Sequence, residues 1–428
     1  MGSDIMRLPY RGGNWNNGAN AGLAALNLNN SRANTNTNIG FRPAFGSSQK
    51  ATPHGALSSA LSKGCRCLGY RRKTEQAAPV RRAADFKALM YDQIISFDNL
   101  HQAALRCLCG KRTSPAALRY MQRLEEHLHD THNHLLHDSY QPGGYEEFYV
   151  FEPKQRLISA PRFVDRVVHR AIMNVLEPTL DPRFIFDSYA CRKGKGVHAG
   201  ANRAQRWMRA IRQAHGPLFC LKADISKYFA SIDHARLKAI LRRHIHCDRT
   251  LRLLDAIIDS SPGRPGVGIP LGNLTSQLFA NLYLNELDRY AKHDLGIRYY
   301  IRYMDDFVVL HHDKAQLQAW RARIEQFLWS ALRLTTNSKT QIFPVGPDNG
   351  RALDFLGYRI YHTHRLLRKN SIKRIRYKLR RFKRAIAAGR LTAGDCRPCI
   401  QSWCAHAAHA NTWRLRCSLF NISSGANR

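Results

Sequence analysis

Two adjacent carboxylates, Asp305 and Asp306, lie in the tetrapeptide Tyr303–Asp306 between two apolar runs, Tyr299–Arg302 and Phe307–Leu310. This pattern predicts a β-hairpin that presents acidic side chains at its tip. So much negative charge at one point favours a divalent cation, because hard cations take oxygen ligands. An Asp-Asp pair by itself is more typical of a solvated turn, so the remainder of the sequence has to distinguish the two interpretations.

A third carboxylate, Asp224, ends another apolar run, which predicts a strand over Leu218–Asp224. Two strand ends that bring carboxylates together meet the requirement of two-metal phosphoryl transfer. In that chemistry one ion activates an attacking 3′-hydroxyl and both stabilise the triphosphate and its leaving group. Magnesium takes a few protein carboxylates and leaves other positions to water and phosphate oxygens. The sequence therefore predicts a site for two Mg²⁺ ions.

The elements that must position these residues alternate between helix and strand without the regularity of a doubly wound sheet, which favours an α+β fold. Apolar periodicity and turn signals give the expected elements. We expect strands at Phe148–Phe151 and Leu353–Tyr361, and helices at Asp165–Leu176, Leu237–Leu254, Asn273–Tyr290, Gln316–Leu332, Ile372–Ala388 and around Ser402–Leu415.

The charge of the chain points to a polyanionic partner. The 428 residues carry a formal net charge of +36, which would oppose compaction unless an anion such as nucleic acid lies nearby. An acidic membrane is the alternative, but no basic amphipathic anchor, membrane-spanning run or secretory signal stands out. We therefore expect no membrane partner and a cytoplasmic location.

The eleven cysteines predict reduced thiols, because the sequence shows no secretory signal. One group resembles a zinc cluster, formed by Cys396, Cys399, Cys404, His406 and His409. Its spacing is loose and no second Cys-x-x-Cys accompanies it, so buried helical thiols are the favoured interpretation.

From about Phe148 to Leu415 the order of motifs resembles that of reverse transcriptases. The motifs are Pro153-Lys154-x-Arg156 with Pro161 and Asp165, Ser188–Gly196, Asp224–Asp233, Tyr303–Asp306, Thr335–Thr340 and Leu353–Tyr358. The resemblance implies a right-hand polymerase with fingers, a palm of antiparallel sheet plus helices, and a helical thumb. We expect an Asn-rich leader over 1–80, N-terminal helices and fingers over 81–218, the palm over 219–361 and the thumb and tail over 362–428.

The same resemblance assigns roles in the palm. Asp224 and Asp305 are implied as metal ligands and catalytic residues, with the backbone carbonyl of Ile225 as a further ligand. Asp306 is the second carboxylate of the hairpin. Phe229 is implied as the aromatic gate that rejects a ribose 2′-hydroxyl, although a buried aromatic would look alike in sequence.

Three basic residues are implied to meet the incoming dNTP. Arg192 and Lys195 lie in a Gly-rich basic loop and would contact the triphosphate, with a solvated loop as the alternative. Lys339 would face the pyrophosphate, or would be an ordinary surface lysine.

One loop departs from the common pattern. Where many reverse transcriptases have Gln-Gly followed by Ser-Pro, this chain has Leu271-Gly272 and later Ser276-Gln277. These positions border the nucleotide and the templating base, so an apolar Leu271 would remove a polar check on the new pair. This form, and the segments Asp181–Gly196 and Ser402–Thr412, resemble reverse transcriptases of diversity-generating retroelements, which misincorporate opposite template adenines.

The leader fits that subtype. Ten asparagines lie between Asn14 and Asn38, and the segment from Arg11 to Pro43 resembles the variable end of the lectin-like targets of these elements. Asparagine codons begin with two adenines, so adenine-directed mutagenesis can diversify them without making a stop codon. We interpret residues 1 to about 44 as a template repeat read in frame, and expect 1–80 to be disordered; an ordinary Asn-rich leader is the alternative.

The expected thumb helix is basic on all sides, which suggests contact with a duplex backbone; a solvated helix is the alternative. The residues implied to bind nucleic acid are Lys373, Arg374, Arg376, Lys378, Arg380 and Arg381. Expected partners are template RNA, cDNA, dNTPs and a small basic accessory protein.

Two other functions remain open. A retron or group II intron-type polymerase is one, although intron proteins usually carry a maturase region, for which little chain follows Leu415. A catalytically silent RNA-binding palm protein is the other.

Overall fold

The computed structural model describes residues 90–110, 113–151, 155–346 and 350–420. An α-helical region opens the described chain and packs beside the strands that follow. Its helices are α1 (Phe97–Leu108), α2 (Pro115–Gln122), α3 (Leu124–Leu136) and, after the first two strands, α4 (Phe163–Leu180). Helix α4 packs on α1 through the apolar face that buries Val168, Ile172 and Leu176.

A four-stranded antiparallel sheet lies at the centre of the molecule, in the order β4-β5-β3-β6. Its strands are β3 (Phe219–Asp224), β4 (Tyr300–Tyr303), β5 (Asp306–His311) and β6 (Gln341–Pro344). Apart from its end residues, β5 is fully buried, as expected of a central strand covered on both faces.

The helices around this sheet are α5 (Val197–His215), α6 (His234–His244), α7 (Asp248–Asp259), α8 (Leu274–Arg289) and α9 (Lys314–Leu332). Helix α8 contacts α4, α6 and α9, and nearly all of its residues are buried. The buried set includes the polar Asn281, Asn285 and Asp288, so part of this helix must find hydrogen-bonding partners inside the protein.

Two smaller antiparallel sheets flank the central one. Strands β1 (Tyr145–Val150) and β2 (Arg156–Pro161) form a hairpin in register from Tyr145–Pro161 to Val150–Arg156. Strands β7 (Leu353–Phe355), β8 (Tyr358–Ile360) and β9 (Arg365–Leu367) form a three-stranded meander.

Three helices end the described chain: α10 (Lys369–Ala387), α11 (Ala393–Ala408) and α12 (Trp413–Phe420). Ile375 is the fully buried residue of α10, and Trp403 of α11 is almost fully buried. Helix α10 is therefore anchored along one narrow apolar line, and most of its basic residues are exposed.

The predicted α+β class with antiparallel sheets is confirmed. The predicted strand Leu218–Asp224 and helices Asn273–Tyr290 and Gln316–Leu332 match β3, α8 and α9 within two residues. The domain limits stay a prediction, and the leader 1–80 and Lys154 of the first finger motif lie outside the described residues.

Three predicted elements were wrong because the structure divides each of them in two. The helix Leu237–Leu254 is two helices, α6 and α7, since Ile245 takes an extended conformation. The strand Leu353–Tyr361 is the β7–β8 hairpin, whose turn holds Leu356 and Gly357 at positive φ. The helix around Ser402–Leu415 is broken between α11 and α12.

Across the described parts of the chain, none of the helices is both long and apolar enough to cross a membrane.

Candidate active site

The three predicted carboxylates meet at one end of the central sheet. Asp224 ends β3 directly opposite Asp306 in the β3–β5 ladder, and Tyr303 faces Asp306 across the β4–β5 hairpin. The backbone N–H of Ile225 donates to the carbonyl of Asp305 at 3.2 Å, which ties the turn to the end of β3. The hairpin predicted from the sequence is confirmed.

The turn between β4 and β5 requires an unusual backbone. Met304 has a φ of +55°, in the left-handed region that a non-glycine residue seldom occupies. Its carbonyl accepts a hydrogen bond from Arg302 Nη1 at 3.0 Å. The turn is therefore held by a side chain of the preceding strand.

Arg302 itself is fixed by a buried ion pair that sequence reasoning missed. Its Nη2 lies 2.6 Å from Oδ2 of Asp288 on α8, and both side chains are fully buried. Tyr300 also donates to Asp288, at 2.8 Å. A charged residue inside an otherwise apolar strand was the available signal, because buried charge requires a partner.

Burial and mutual repulsion raise the pKa values of the turn carboxyls. The pKa of Asp305 is raised to about 7, mainly by burial and then by the neighbouring charge of Asp224. The pKa of Asp306 is raised to about 6 by burial and Asp224, against the opposing effect of Lys222. Carboxyls with such pKa values lie in a place that would gain from a cation.

Two basic side chains border the carboxylates. Lys222 Nζ lies 3.6 Å from Asp306 Oδ2 and donates to the carbonyl of Asp354 at 2.7 Å. Arg156 of β2 interacts electrostatically with both Asp305 and Asp224, while burial lowers its pKa. The β1–β2 hairpin thus contributes positive charge next to the carboxylates of the central sheet.

The donor set fits a hard divalent ion. Asp306 Oδ1 is buried and has no hydrogen-bond partner in the structure, so one carboxylate oxygen awaits a ligand. Within the described ranges, no group of three or more His, Cys, Asp or Glu side chains is placed to hold a metal ion by itself. An open set of carboxylates suits Mg²⁺, which keeps waters and shares substrate oxygens. Ligation by the Ile225 carbonyl stays a prediction.

The loop ahead of α8 is fitted closely to β2. Ser159 N–H donates to the carbonyl of Leu271 at 2.8 Å. Gly272 has a φ of +137°, and a Cβ there would lie 2.5 Å from the Ser159 carbonyl oxygen. Only glycine fits this position, and Leu271 and Gln277 on either side are partly exposed.

Phe229 belongs to the same region. It lies in a short 3₁₀ turn after Asp224, its carbonyl accepts from Ile269 N–H at 2.8 Å, and its side chain is buried against Tyr228. The buried aromatic that the sequence allowed is what the structure has, and it lies between the carboxylates and the Leu271 loop. A gating role is compatible with this position and stays a prediction.

The basic loop residues differ in their surroundings. Arg192 is buried and its Nε lies 2.6 Å from Asp181, which excludes the alternative of a solvated loop for this residue. Its Nη1 also donates to the carbonyls of Ile185 and Ser188. A triphosphate contact would have to compete with these bonds.

Lys195 Nζ donates to the carbonyl of Phe186 and lies 3.3 Å from the centroid of that ring. Lys339 is exposed in the turn before β6. Neither position tests a contact with nucleotide, so both roles stay predictions.

The predicted nucleic-acid contacts lie along α10. Lys373, Arg376, Arg380 and Arg381 are exposed, whereas Arg374 and Lys378 are half-buried. In the disfavoured zinc group, His406 Nδ1 lies 3.1 Å from the Tyr358 hydroxyl and Cys399 Sγ accepts from Lys378. These histidine and cysteine side chains therefore have partners of their own.

The chain is similar to a known protein family and to several known proteins. Residues 151–360, which include Asp224, Asp305 and Asp306, match the family described as reverse transcriptase (RNA-dependent DNA polymerase). Protein YkfC of Escherichia coli (strain K12) is 29% identical over 290 residues, covering 58% of this chain and 73% of that protein.

Group II intron-encoded protein LtrA of Lactococcus lactis subsp. cremoris is 24% identical over 166 residues, covering 37% of this chain and 27% of LtrA. Among solved structures, apo telomerase from Candida Tropicalis is similar with a TM-score of 0.42 and 11% identity, covering 54% of this chain and 49% of that one.

The carboxylates of the central sheet lie inside the matched segment, at the places that the sequence predicts for them. The chain therefore carries a reverse transcriptase domain with homology to group II intron-type enzymes, and it is an RNA-directed DNA polymerase.

Proposed function

We propose that this chain makes cDNA from a template-repeat RNA with errors at template adenines, for mutagenic retrohoming into a variable target gene. The convergence of Asp224, Asp305 and Asp306 at one sheet end is the observation that carries the polymerase activity. Two bound Mg²⁺ ions would favour deprotonation of the primer 3′-hydroxyl and would offset the negative charge of the triphosphate. Asp224 and Asp305 would hold them, with Asp306 beside Lys222.

The protein groups around the carboxylates would bind and orient the substrates. Arg156 and Lys195 bring positive charge to a dNTP triphosphate, and Arg192 supports the loop that carries Lys195. Phe229, packed rigidly behind the site, would exclude a ribose 2′-hydroxyl and so select dNTPs. Rigid packing favours this role, because a gate must not yield to the larger sugar.

The proposed infidelity rests on the Leu271 loop. Leu271 places an apolar side chain next to a glycine that is pressed against β2, so the loop has little freedom to bring another polar group into its place. A site without a polar partner discriminates weakly between nucleotides that differ in polar groups. Gln277, in the first turn of α8, accompanies this departure.

The Asn-rich leader would be the template repeat read in frame. Sequencing the flanking DNA tests this directly, since a neighbouring gene should carry a near copy that differs chiefly where the repeat has adenine. The absence of such a copy would exclude the interpretation. The protein would act in the cytoplasm of a bacterial or phage-infected cell, with a small basic accessory protein as a proposed partner.

A group II intron-type reverse transcriptase is the second candidate, and the likeness to a group II intron-encoded protein favours it. The two candidates differ in the accuracy of the cDNA that they predict. An intron-type enzyme gains nothing from errors concentrated at one template base.

Sequencing cDNA made by the full chain on a defined RNA template separates the two. We expect substitutions concentrated opposite adenine, and Leu271→Gln should lower them about tenfold by restoring a polar group worth about 1.4 kcal/mol. The matched control Leu271→Met keeps an apolar side chain of similar size and should keep the errors. Uniformly accurate cDNA from the unchanged chain would favour the intron-type function.

A further inference from the structure

A polar cavity of about 360 Å³ lies between α5, the turn ahead of β9 and the segment after α11. The polar side chains that line it are Gln205, Arg209, Thr363, Arg365, His409 and Asn411. None of them has a role in the polymerase site described above.

Arg365 is a buried cation with unused donors. Its side chain belongs to a residue that is only 9% exposed, and its Nη2 donates to Asn202 Oδ1 at 2.6 Å. Its Nε and Nη1 are buried and have no hydrogen-bond partner. Charged donors left without a partner in the interior cost free energy, and the described residues supply no acceptor for these two donors.

Backbone contacts fix Arg365 in this position. Its N–H donates to Asn411 Oδ1 at 3.1 Å, and Asn411 N–H donates back to the Arg365 carbonyl at 2.8 Å. The guanidinium also lies 5.2 Å from the centroid of the Tyr358 ring. The residue is thus held at both its backbone and its side chain, as a preorganised binding group would be.

A second guanidinium stands at the rim. Arg209 is exposed, and its Nε and Nη2 donate to the carbonyls of His362 and Thr363. In the described part of the chain, neither Arg209 nor Arg365 forms an ion pair with a carboxylate. The cavity therefore has two cationic walls and no protein anion.

The histidines beside the cavity stay uncharged. His409 stacks on His198 with the ring centroids 3.7 Å apart. Burial and then Arg365 lower the pKa of His409, while burial and the neighbouring His409, His406 and Arg365 lower that of His198 to about 3. A neutral His409 can donate one N–H to an anion and adds no repulsion between cations.

We propose that this cavity binds a phosphate group between Arg365 and Arg209. Guanidinium groups match phosphate oxygens in both geometry and charge. Since one water occupies about 30 Å³ in the liquid, the cavity has room for a phosphate with its attached sugar. The phosphate comes from a free nucleotide or from the backbone of a bound nucleic acid.

The thermal midpoint of the full chain in inorganic phosphate, compared with chloride at equal ionic strength and without metal, template or dNTP, tests the site. We expect a phosphate-dependent rise that is lost in Arg365→Gln and in Arg209→Gln, because ligand binding stabilises the folded state. Arg212→Gln removes the same charge from the same helix outside the cavity and should keep the rise. An equal rise in all variants, or none in the unchanged chain, would overturn the proposal.

If the Arg365 variant fails to fold, the Arg209 variant still tests the proposal, because Arg209 is exposed. Because no polymerisation is measured, a failure here is also distinct from a failure of the proposed function.

Two further arms identify the source of the phosphate. If it is free nucleotide, dAMP should raise the midpoint in an Arg209-dependent manner, while RNA affinity keeps its salt dependence. If it is a nucleic acid backbone, Arg209→Gln should lower the slope of log affinity for RNA against log salt by about one, and Arg212→Gln should not. Either result supports the site, and no effect of Arg209→Gln in both arms contradicts it.

Discussion

Asp305 and Asp306 lie beside Asp224 in a buried turn, and the structure supplies less positive charge than the three carboxylates require. Lys222 reaches only Asp306, at 3.6 Å, and the pKa of Asp305 remains raised to about 7. In the folded chain without metal, the carboxylates of the functional site therefore repel one another. Stability given up in this way is common where a site must bind a cation.

The sign of the effect on stability follows from the pKa of Asp305, which is 3.8 for the ordinary group and higher in the folded chain. The folded state binds the proton of Asp305 more tightly than the unfolded state does. The stabilisation of the fold by this proton is therefore largest at low pH and is lost as pH rises toward 7. Above that pH the ionised carboxylate opposes folding.

Asp305→Asn should therefore stabilise the metal-free protein at pH 8. We expect the free energy of unfolding to rise by about 1–3 kcal/mol, because each pKa unit corresponds to about 1.4 kcal/mol. Denaturant melts in a chelator measure this gain. Added Mg²⁺ should stabilise the unchanged chain more than the variant, and a variant less stable than the unchanged chain at pH 8 would contradict the electrostatic description.

Among single residues, the sequence predicts the carboxylates of the site well, but it predicts the side chains that hold them in place poorly. Asp224, Asp305 and Asp306 could be found because Asp224 ends an apolar strand, Asp306 begins one and Asp305 directly precedes it. The Arg302–Asp288 pair joins residues from two elements whose packing no local pattern reveals. The buried position of Arg192 could not be predicted for the same reason, since its partner Asp181 lies eleven residues away on a separate turn.

Among the elements, the loop ahead of α8 makes a close contact with β2. Its position depends on Gly272, where a Cβ would meet the Ser159 carbonyl at 2.5 Å. Gly263 also has a positive φ, of +110°, but a Cβ there would meet open space. A comparison of substitutions at these two glycines therefore separates the effect of backbone strain from the effect of a steric clash.

Gly272→Ala should displace this loop, whereas Gly263→Ala should leave it in place. We expect the first variant to lose about 1–3 kcal/mol more stability, since both strain and contact act there. Its KM for dNTP should also rise more. Thermal melts and single-nucleotide extension measure both quantities, and equal effects of the two substitutions would show that the close approach to β2 is unimportant.

Helix α10 exposes Lys373, Arg376, Arg380 and Arg381, while Ile375 is buried. If it lies along a duplex, Arg376→Gln with Arg380→Gln should lower the slope of log affinity against log salt by about two for a primer-template duplex. The pair Lys314→Gln with Arg323→Gln removes two exposed charges from α9 and serves as the control. Equal losses from both pairs would indicate a general effect of net charge.

Element boundaries depended on residues that propensity does not mark. The single helix expected over Leu237–Leu254 divides at Ile245, which is buried and has an extended backbone. The β7–β8 turn places Leu356 at a φ of +53°, a conformation that no sequence rule would assign to leucine. Long apolar elements such as α8 and β3 were predictable because their patterns are continuous.

For the whole molecule, the net charge of +36 is distributed over a folded polymerase domain and a leader of different composition. We expect deletion of residues 1–80 to leave RNA-templated extension within about twofold of the full chain, because the leader is interpreted as template-derived. Extension rates on one primer-template pair measure this. A large loss would assign the leader a part in the enzyme.

Primer extension on an RNA template tests the central claim most directly, namely that Asp224, Asp305 and Asp306 form the polymerase centre. Asp305→Asn should reduce the rate at least about a hundredfold while RNA binding stays, since the loss affects the transition state. Asp294→Asn, the same substitution at an exposed position, should extend normally. Undiminished extension by Asp305→Asn would contradict the account and would favour a silent palm that only binds RNA.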